Sequence, residues 1–327
     1  MAVVTVLLRT LRDEVTPSVS RFAPRKPEVD AQPSPEELAV LRAVTYASLF
    51  EFPMTPAETR RTVVGCTISE TELMALYRRS DFLRHRLHYS QGYFVPVGCE
   101  EWIDLRAERG VSSLALIERH RRFLHVLCAL PFVSLAAVSG SLAHLNATRD
   151  SDLDLFVITR GAHVWTVTAA IVVISKLMGC RGTVCANYVV ADSDLAVGQQ
   201  DEFAANQIVH VRPLTGAAAY RAFLEANPFT RSIYPNFDPR ERRPFPFVPA
   251  GWTSTIKQIL EALLILPAPA IEAAVRVPYG WYLRRKVRRW ASPDQVRLTR
   301  TQLKLHGYSH RDAIGRRFDA ALARASR

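Results

Sequence analysis

Between residues 132 and 190 the chain alternates in a way that few folds accommodate. Phe132–Val138 and Leu153–Ile158 are short apolar runs, His163–Met178 has the period and length of a helix, and Val184–Val190 is apolar again and rich in valine. Short apolar runs bounded by Gly, Ser and Asp read as buried strands, and the longer periodic run as a helix. The chain is therefore expected to be α/β (α+β) with a mixed sheet.

Around that segment the sequence divides further. Residues 1–35 hold five prolines and read as an N-terminal arm. Ser34-Pro35-Glu36-Glu37, Thr55-Pro56-Ala57-Glu58 and Ser69-Glu70-Thr71-Glu72 each offer a capping residue with an acid three positions on, so three short helices start there. Leu83–Tyr89 and Tyr93–Val97 flank Ser90-Gln91-Gly92 as a hairpin. Three helices and a hairpin over residues 36–100 have the order of a winged helix-turn-helix. Residues 101–131 form a helical connector, 132–227 the α/β core, 228–251 a proline-rich linker, and 252–327 a basic helical C-terminal region.

Composition bounds the function classes. At 48% hydrophobic and 22% charged the 327-residue chain is globular in character. Its five cysteines form no CxxC pair, which argues against a zinc site or disulfide framework and for a cytoplasmic location. Val164–Ile174 is too short to span a bilayer, and Ile256–Val277 is interrupted by Lys257, Glu261, Glu272 and Arg276, so no transmembrane segment is expected.

The chemistry is concentrated in Val138-Ser139-Gly140-Ser141 and, ten residues later, Asp152-Leu153-Asp154-Leu155. Asp152 and Asp154, two apart on a strand, leave the same face. At about 7 Å and an effective dielectric of 20 they repel by roughly 2 kcal/mol, which a divalent cation converts into coordination. Magnesium, a hard ion that keeps open positions for phosphate oxygens, suits such a pair. Gly140 lets backbone N–H groups approach a phosphate, Ser141 adds a hydroxyl, and a helix starting there would also favour an anion.

This pattern resembles the nucleotidyltransferase superfamily that includes DNA polymerase β and the minimal bacterial nucleotidyltransferases. The motif likeness covers residues 132–158. The resemblance implies a polymerase-β-like core in which Asp152 and Asp154 are catalytic and bind Mg²⁺ while Gly140 and Ser141 bind a nucleoside triphosphate. It also implies a third carboxylate from a later strand. There the sequence departs from the pattern: Asn187 occupies the expected place, Asp192 follows at the strand end, and Asp201 and Glu202 lie on a following helix. His144, Arg149 and Arg160 are further residues within reach of a phosphate, each with an ordinary structural alternative.

The net charge of +11 is confined to residues 276–327, which hold 14 Arg and Lys against three acids; the rest is neutral overall. This tail, densest at Arg284–Arg289 and flanked by Trp281, Tyr282 and Trp290, fits nucleic acid or another polyanion, an anionic membrane surface, or a phosphate funnel. Its removal is expected to leave the core intact. In the three-helix module, Glu70 and Glu72 make a poor DNA-reading helix, while Arg84, His85, Arg86 and His88 make a better wing. Two readings follow. One is a nucleotidyltransferase that transfers a nucleoside monophosphate to an acceptor hydroxyl. The alternative is a catalytically weakened, triphosphate-binding, DNA-associated regulator.

Overall fold

Capping chemistry places the first helices where the sequence does. In the computed structural model, which describes residues 32–241, 244–290, 296–305 and 311–326, helix α1 (Pro35–Ser48) opens on a reciprocal box. The Ser34 hydroxyl accepts from the Glu37 N–H at 3.2 Å while the Glu37 carboxylate accepts from the Ser34 N–H at 2.7 Å. Thr55 with Glu58 opens α2 (Pro56–Thr62), and Ser69 with Glu72 opens α3 (Glu70–Arg79), in the same way. The expected arm falls, up to residue 31, outside the described residues.

The hairpin starts later than its apolar run suggests. The Ser80 hydroxyl accepts from the Leu83 N–H at 3.0 Å and holds one helical turn, α4 (Asp81–Arg84), before β1 (Leu87–Ser90) and β2 (Tyr93–Pro96). Gln91 and Gly92, with φ of 50° and 84°, make the left-handed turn between the strands. Leu41, Val44, Leu73, Leu76, Leu83, Leu87 and Phe94 form the core of this part.

Helix α5 (Trp102–Ala129) leads into a six-stranded mixed sheet with order β6-β3-β4-β5-β8-β7. Its strands are β3 (Val133–Val138), β4 (Leu153–Thr159), β5 (Val184–Ala191), β6 (Arg212–Thr215), β7 (Arg297–Leu298) and β8 (Gln302–Lys304). Among the described residues only β4 and β5 are parallel neighbours, and helix α7 (Val164–Leu177) makes the crossover that a parallel pair requires. The one-turn helix α6 (Gly140–Ala143) follows β3, while α8 (Glu202–His210) and α9 (Ala217–Glu225) flank β6. Side-chain alternation splits the sheet's core. Leu153, Leu155 and Val157 pack with α5 and α7, whereas Phe156 and Ile158 pack with α8 and α9.

The later chain is more integrated than its composition suggests. The proline-rich stretch contains α10 (Phe229–Ile233) and buries Tyr234 and Phe247. Its Asn236 side chain accepts from the Ile68 N–H at 2.9 Å and donates to the Cys66 carbonyl at 2.7 Å, tying it to the first helices. Beyond it lie α11 (Trp252–Leu264), α12 (Ala268–Val287) and α13 (Arg311–Ala325). The basic region is not wholly helical, because its β8 pairs with β5 and its Leu283 and Leu303 enter the sheet core. Among the described residues no single helix is long and apolar enough to cross a membrane; α11 and α12 meet that test only jointly, bent by 89°.

Candidate functional site

Strand alternation brings the two aspartates to one place. Asp154 shares a face of β4 with Phe156 and Ile158 at the strand's N-terminal end, and Asp152 immediately precedes the strand; Asp152 is exposed and Asp154 half-buried. Burial raises the Asp154 pKa to about 6, helped by the neighbouring Asp152 charge and opposed by a hydrogen bond from Asn187. The Cys185 thiol lies 3.6 Å from Asp152, and burial followed by the two carboxylates pushes its pKa up to about 11.

Asn187 reaches Asp154 because β5 is bulged there. Leu155 pairs with Ala186 and Phe156 with Tyr188, so Asn187 is the unpaired extra residue, and its amide donates to Asp154 Oδ1. Opposite it, Gly140 sits at φ +64°, and a Cβ at this position would meet Asp154 Oδ2 at 2.4 Å. The Asp154 carboxylate therefore packs against the bare Gly140 backbone, in a conformation that favours glycine on its own account.

The loop from Ser139 to Ser151 is fixed at both ends. The Ser139 N–H donates to the Asp154 carbonyl at 2.9 Å, and Ser141 Oγ lies 3.4 Å from Ser151 Oγ, which itself accepts from the Thr148 N–H at 2.9 Å. Buried Asn146 donates to the Phe50 carbonyl at 3.1 Å, so the motif loop is pinned to the end of α1. Helix α6 is a single turn, which reduces the expected dipole at Gly140 to a few local N–H groups.

Two hollows flank the pair. A cavity of about 370 Å³ is lined by Tyr46, Phe50, Phe52, Gly140, Ser141, Asp154 and Glu202. His144 and His210 lie in its wall with ring centroids 4.2 Å apart. The Tyr46 hydroxyl is buried there with no hydrogen-bond partner, and burial raises its pKa. A second hollow, of about 590 Å³, runs from Cys185 and Asn187 to Lys176, Arg181, Tyr282, Lys286 and Trp290. The basic C-terminal region thus borders the site.

The candidate residues do not all converge. Gly140, Ser141, Asp152, Asp154 and Asn187 do. Asp192 is at the opposite end of β5, where its carboxylate accepts from the Gly161 N–H at 2.9 Å. It is six β5 residues removed from the Asp154–Cys185 pair, roughly 20 Å. Asp201 caps α8 through the Ala204 N–H and pairs with Arg311. Glu202 lines the first cavity but is held by Arg42. Arg149 is exposed, and Arg160 pairs with Glu261 at 2.8 Å. Sequence reasoning missed Tyr46, Phe52 and Cys185: the first two come from a distant helix and loop, while Cys185 could have been found as the parallel neighbour of Asp154.

Whether these residues suit a magnesium ion turns on two observations. Gly140 lets the Asp154 carboxylate lie against the backbone of the motif loop, and Asp152 adds an exposed carboxylate whose charge raises the Asp154 pKa. Among the described residues no group of three or more His, Cys, Asp or Glu side chains is placed to share a metal. The pair fits an ion whose remaining positions go to phosphate and water, and does not fit a wholly protein-built cage. The chain shows no significant match to a family model, a curated protein or a solved structure. Function must therefore be argued from the site's own chemistry.

Proposed function

We propose that the cavity beside Asp154 is the nucleotide site of a polymerase-β-like, magnesium-dependent nucleotidyltransferase core, moving a nucleoside monophosphate from a triphosphate to an acceptor hydroxyl. The observation that carries this reading is the half-buried Asp154 carboxylate held against the bare Gly140 backbone, with the Asp152 carboxylate beside it. A structural turn needs no such uncompensated pair, and leaving it unpaired is costly. Asp152 and Asp154 would hold Mg²⁺, whose chemistry there is neutralisation of triphosphate charge. Gly140 and Ser141 present N–H groups and a hydroxyl toward the terminal phosphates. Asp154 stays ionised near neutral pH because its pKa of about 6 is still below 7. Asn187 orients it by an amide hydrogen bond and, lacking a basic oxygen, takes no proton from the acceptor.

The experiment is incubation of the purified protein with Mg²⁺, each labelled triphosphate and a cell lysate. Label should appear on the protein or a lysate component and vanish in Asp154→Ala. Absence of label, together with triphosphate binding that Asp152→Ala leaves unchanged, would remove both the enzyme and its metal site.

The weakened-core reading is favoured by one observation, the amide at position 187 where a base would stand. Its DNA-binding half is less well supported. If residues 36–100 are a winged helix, two cations expected on its wing lie before the hairpin instead: Arg84, on α4, is engaged by Asp81 and the Arg78 carbonyl, and Arg86 by the Ala325 carbonyl. A gel shift lost on Arg78→Gln/Arg79→Gln but retained in Asp154→Ala would favour it.

A further inference from the structure

Helix α11 is amphipathic in the inverted sense. Its charged residues face the protein: Lys257 donates to the Val133 carbonyl, while Glu261 accepts from the Phe132 N–H at 2.9 Å and from Arg160 at 2.8 Å. Its outward stripe is Trp252, Ile256, Ile259 and Leu263, continued by Leu266 in the elbow before α12. The spacings of four, three, four and three are those of one helix face. These five side chains are 41% to 90% exposed, with Leu266 the highest. A stable soluble helix ordinarily shows water the opposite face.

Helix α12 leaves the elbow at 89° and grades along its exposed side. Ala270, Ala273 and Val277 come first, then Trp281 and Tyr282, then Arg284, Arg285, Arg288 and Arg289. Apolar, aromatic, cationic is the order met in passing from acyl chains through the interface to anionic headgroups. Charge identifies the occupant. Between residues 252 and 290 the sequence has two acids, Glu261 and Glu272, and both are turned inward and hydrogen-bonded. The outward surface offers apolar groups, cations and the neutral Ser254, Thr255 and Gln258, and no acid. A nucleic acid would leave the apolar stripe in water, and an anionic bilayer satisfies both.

We propose that the α11–α12 elbow docks the protein on the surface of an anionic bilayer, the apolar stripe lying in the interface and the α12 cations among the headgroups. The docking is interfacial, about 5–10 Å deep, because the inward faces of both helices are held by the protein body. It is independent of the nucleotide reading.

The test is flotation of the full-length protein with phosphatidylcholine vesicles and with phosphatidylcholine–phosphatidylglycerol vesicles. The protein should float with the mixed vesicles, less so at high salt. Ile259→Glu/Leu263→Glu should lower the bound fraction at least about tenfold, and Arg284→Gln/Arg285→Gln about tenfold on mixed vesicles. All four positions are exposed, and an unchanged thermal melt verifies the fold of each variant. The proposal is overturned if the wild type fails to float with mixed vesicles. A dimer dissociated by the Ile259→Glu/Leu263→Glu variant would then identify a second copy as the occupant, and flotation gained on deleting residues 1–31 would identify the arm. Flotation that neither pair of substitutions weakens overturns it equally.

Discussion

Asp154 carries a penalty in its ionised form, set by burial and by the charge of Asp152. Its folded pKa of about 6 lies above the ordinary 3.8, so the folded state holds a proton that the unfolded state releases. Stability therefore falls as pH rises from about 4 to about 6, by at most about 3 kcal/mol, and stays low above that. Asp154→Asn should raise the melting temperature at pH 7.5 and leave it unchanged below pH 4. Millimolar Mg²⁺ with a triphosphate should stabilise the wild type and not this variant. Gly140→Ala tests the same carboxylate sterically: it strains a left-handed backbone by about 1–2 kcal/mol and forces Asp154 aside. Denaturant titration should show that loss, and nucleotide binding should fall by more than the stability change explains. Asn187→Asp runs the other way. A third carboxylate against Asp154 should cost about 1–3 kcal/mol without metal, recover in Mg²⁺, and raise labelling if the core is catalytic.

The elements are joined by contacts that act across long stretches of chain. Glu272 on α12 accepts from the Trp165 and Thr166 N–H groups at 3.1 and 2.8 Å and from the Thr166 hydroxyl at 2.6 Å, capping α7 from outside. Glu272→Ala should cost about 2–4 kcal/mol by urea unfolding, since it strips a buried helix start of its acceptor. Glu272→Gln, which keeps an acceptor oxygen, should recover part of it. Caps of the other kind, made by near neighbours, were legible: Ser34, Thr55 and Ser69 each announce a helix because both partners lie within three residues. The closeness of Asp152 to Asp154 was legible for the same reason, the two being only two residues apart in the chain. The bulge that aims Asn187 was not, because a register shift belongs to two strands together. Nor was β8, three residues long beside polar Thr299 and Arg300, or the inverted face of α11. There Lys257 and Glu261 point inward and hydrogen-bond the Val133 carbonyl and the Phe132 N–H.

At the scale of the whole molecule the basic C-terminal region acts as a clasp. Its β8 covers the edge of β5, its Leu283 and Leu303 fill the sheet core, and its Phe318 packs edge-on against Tyr46 of α1 at 5.3 Å. Each of those three apolar side chains contributes about 2 kcal/mol, to set against a total stability of about 5–15 kcal/mol for a domain. Losing them along with the Glu272 cap removes most of that margin. A chain ending at residue 251 should therefore lack a cooperative melt by calorimetry and bind a hydrophobic dye, whereas the full chain should melt in one transition. A truncated chain that kept a sharp transition within a few degrees of the full-length value would show that the clasp is dispensable. The charge of +11 accordingly cannot be removed by cutting the tail away, because the residues that carry it stand on elements the sheet requires. Substitution of exposed arginines is the route that separates charge from fold. Arg284→Gln/Arg285→Gln should weaken polyanion binding, steepest at low salt, while leaving the melting temperature unchanged.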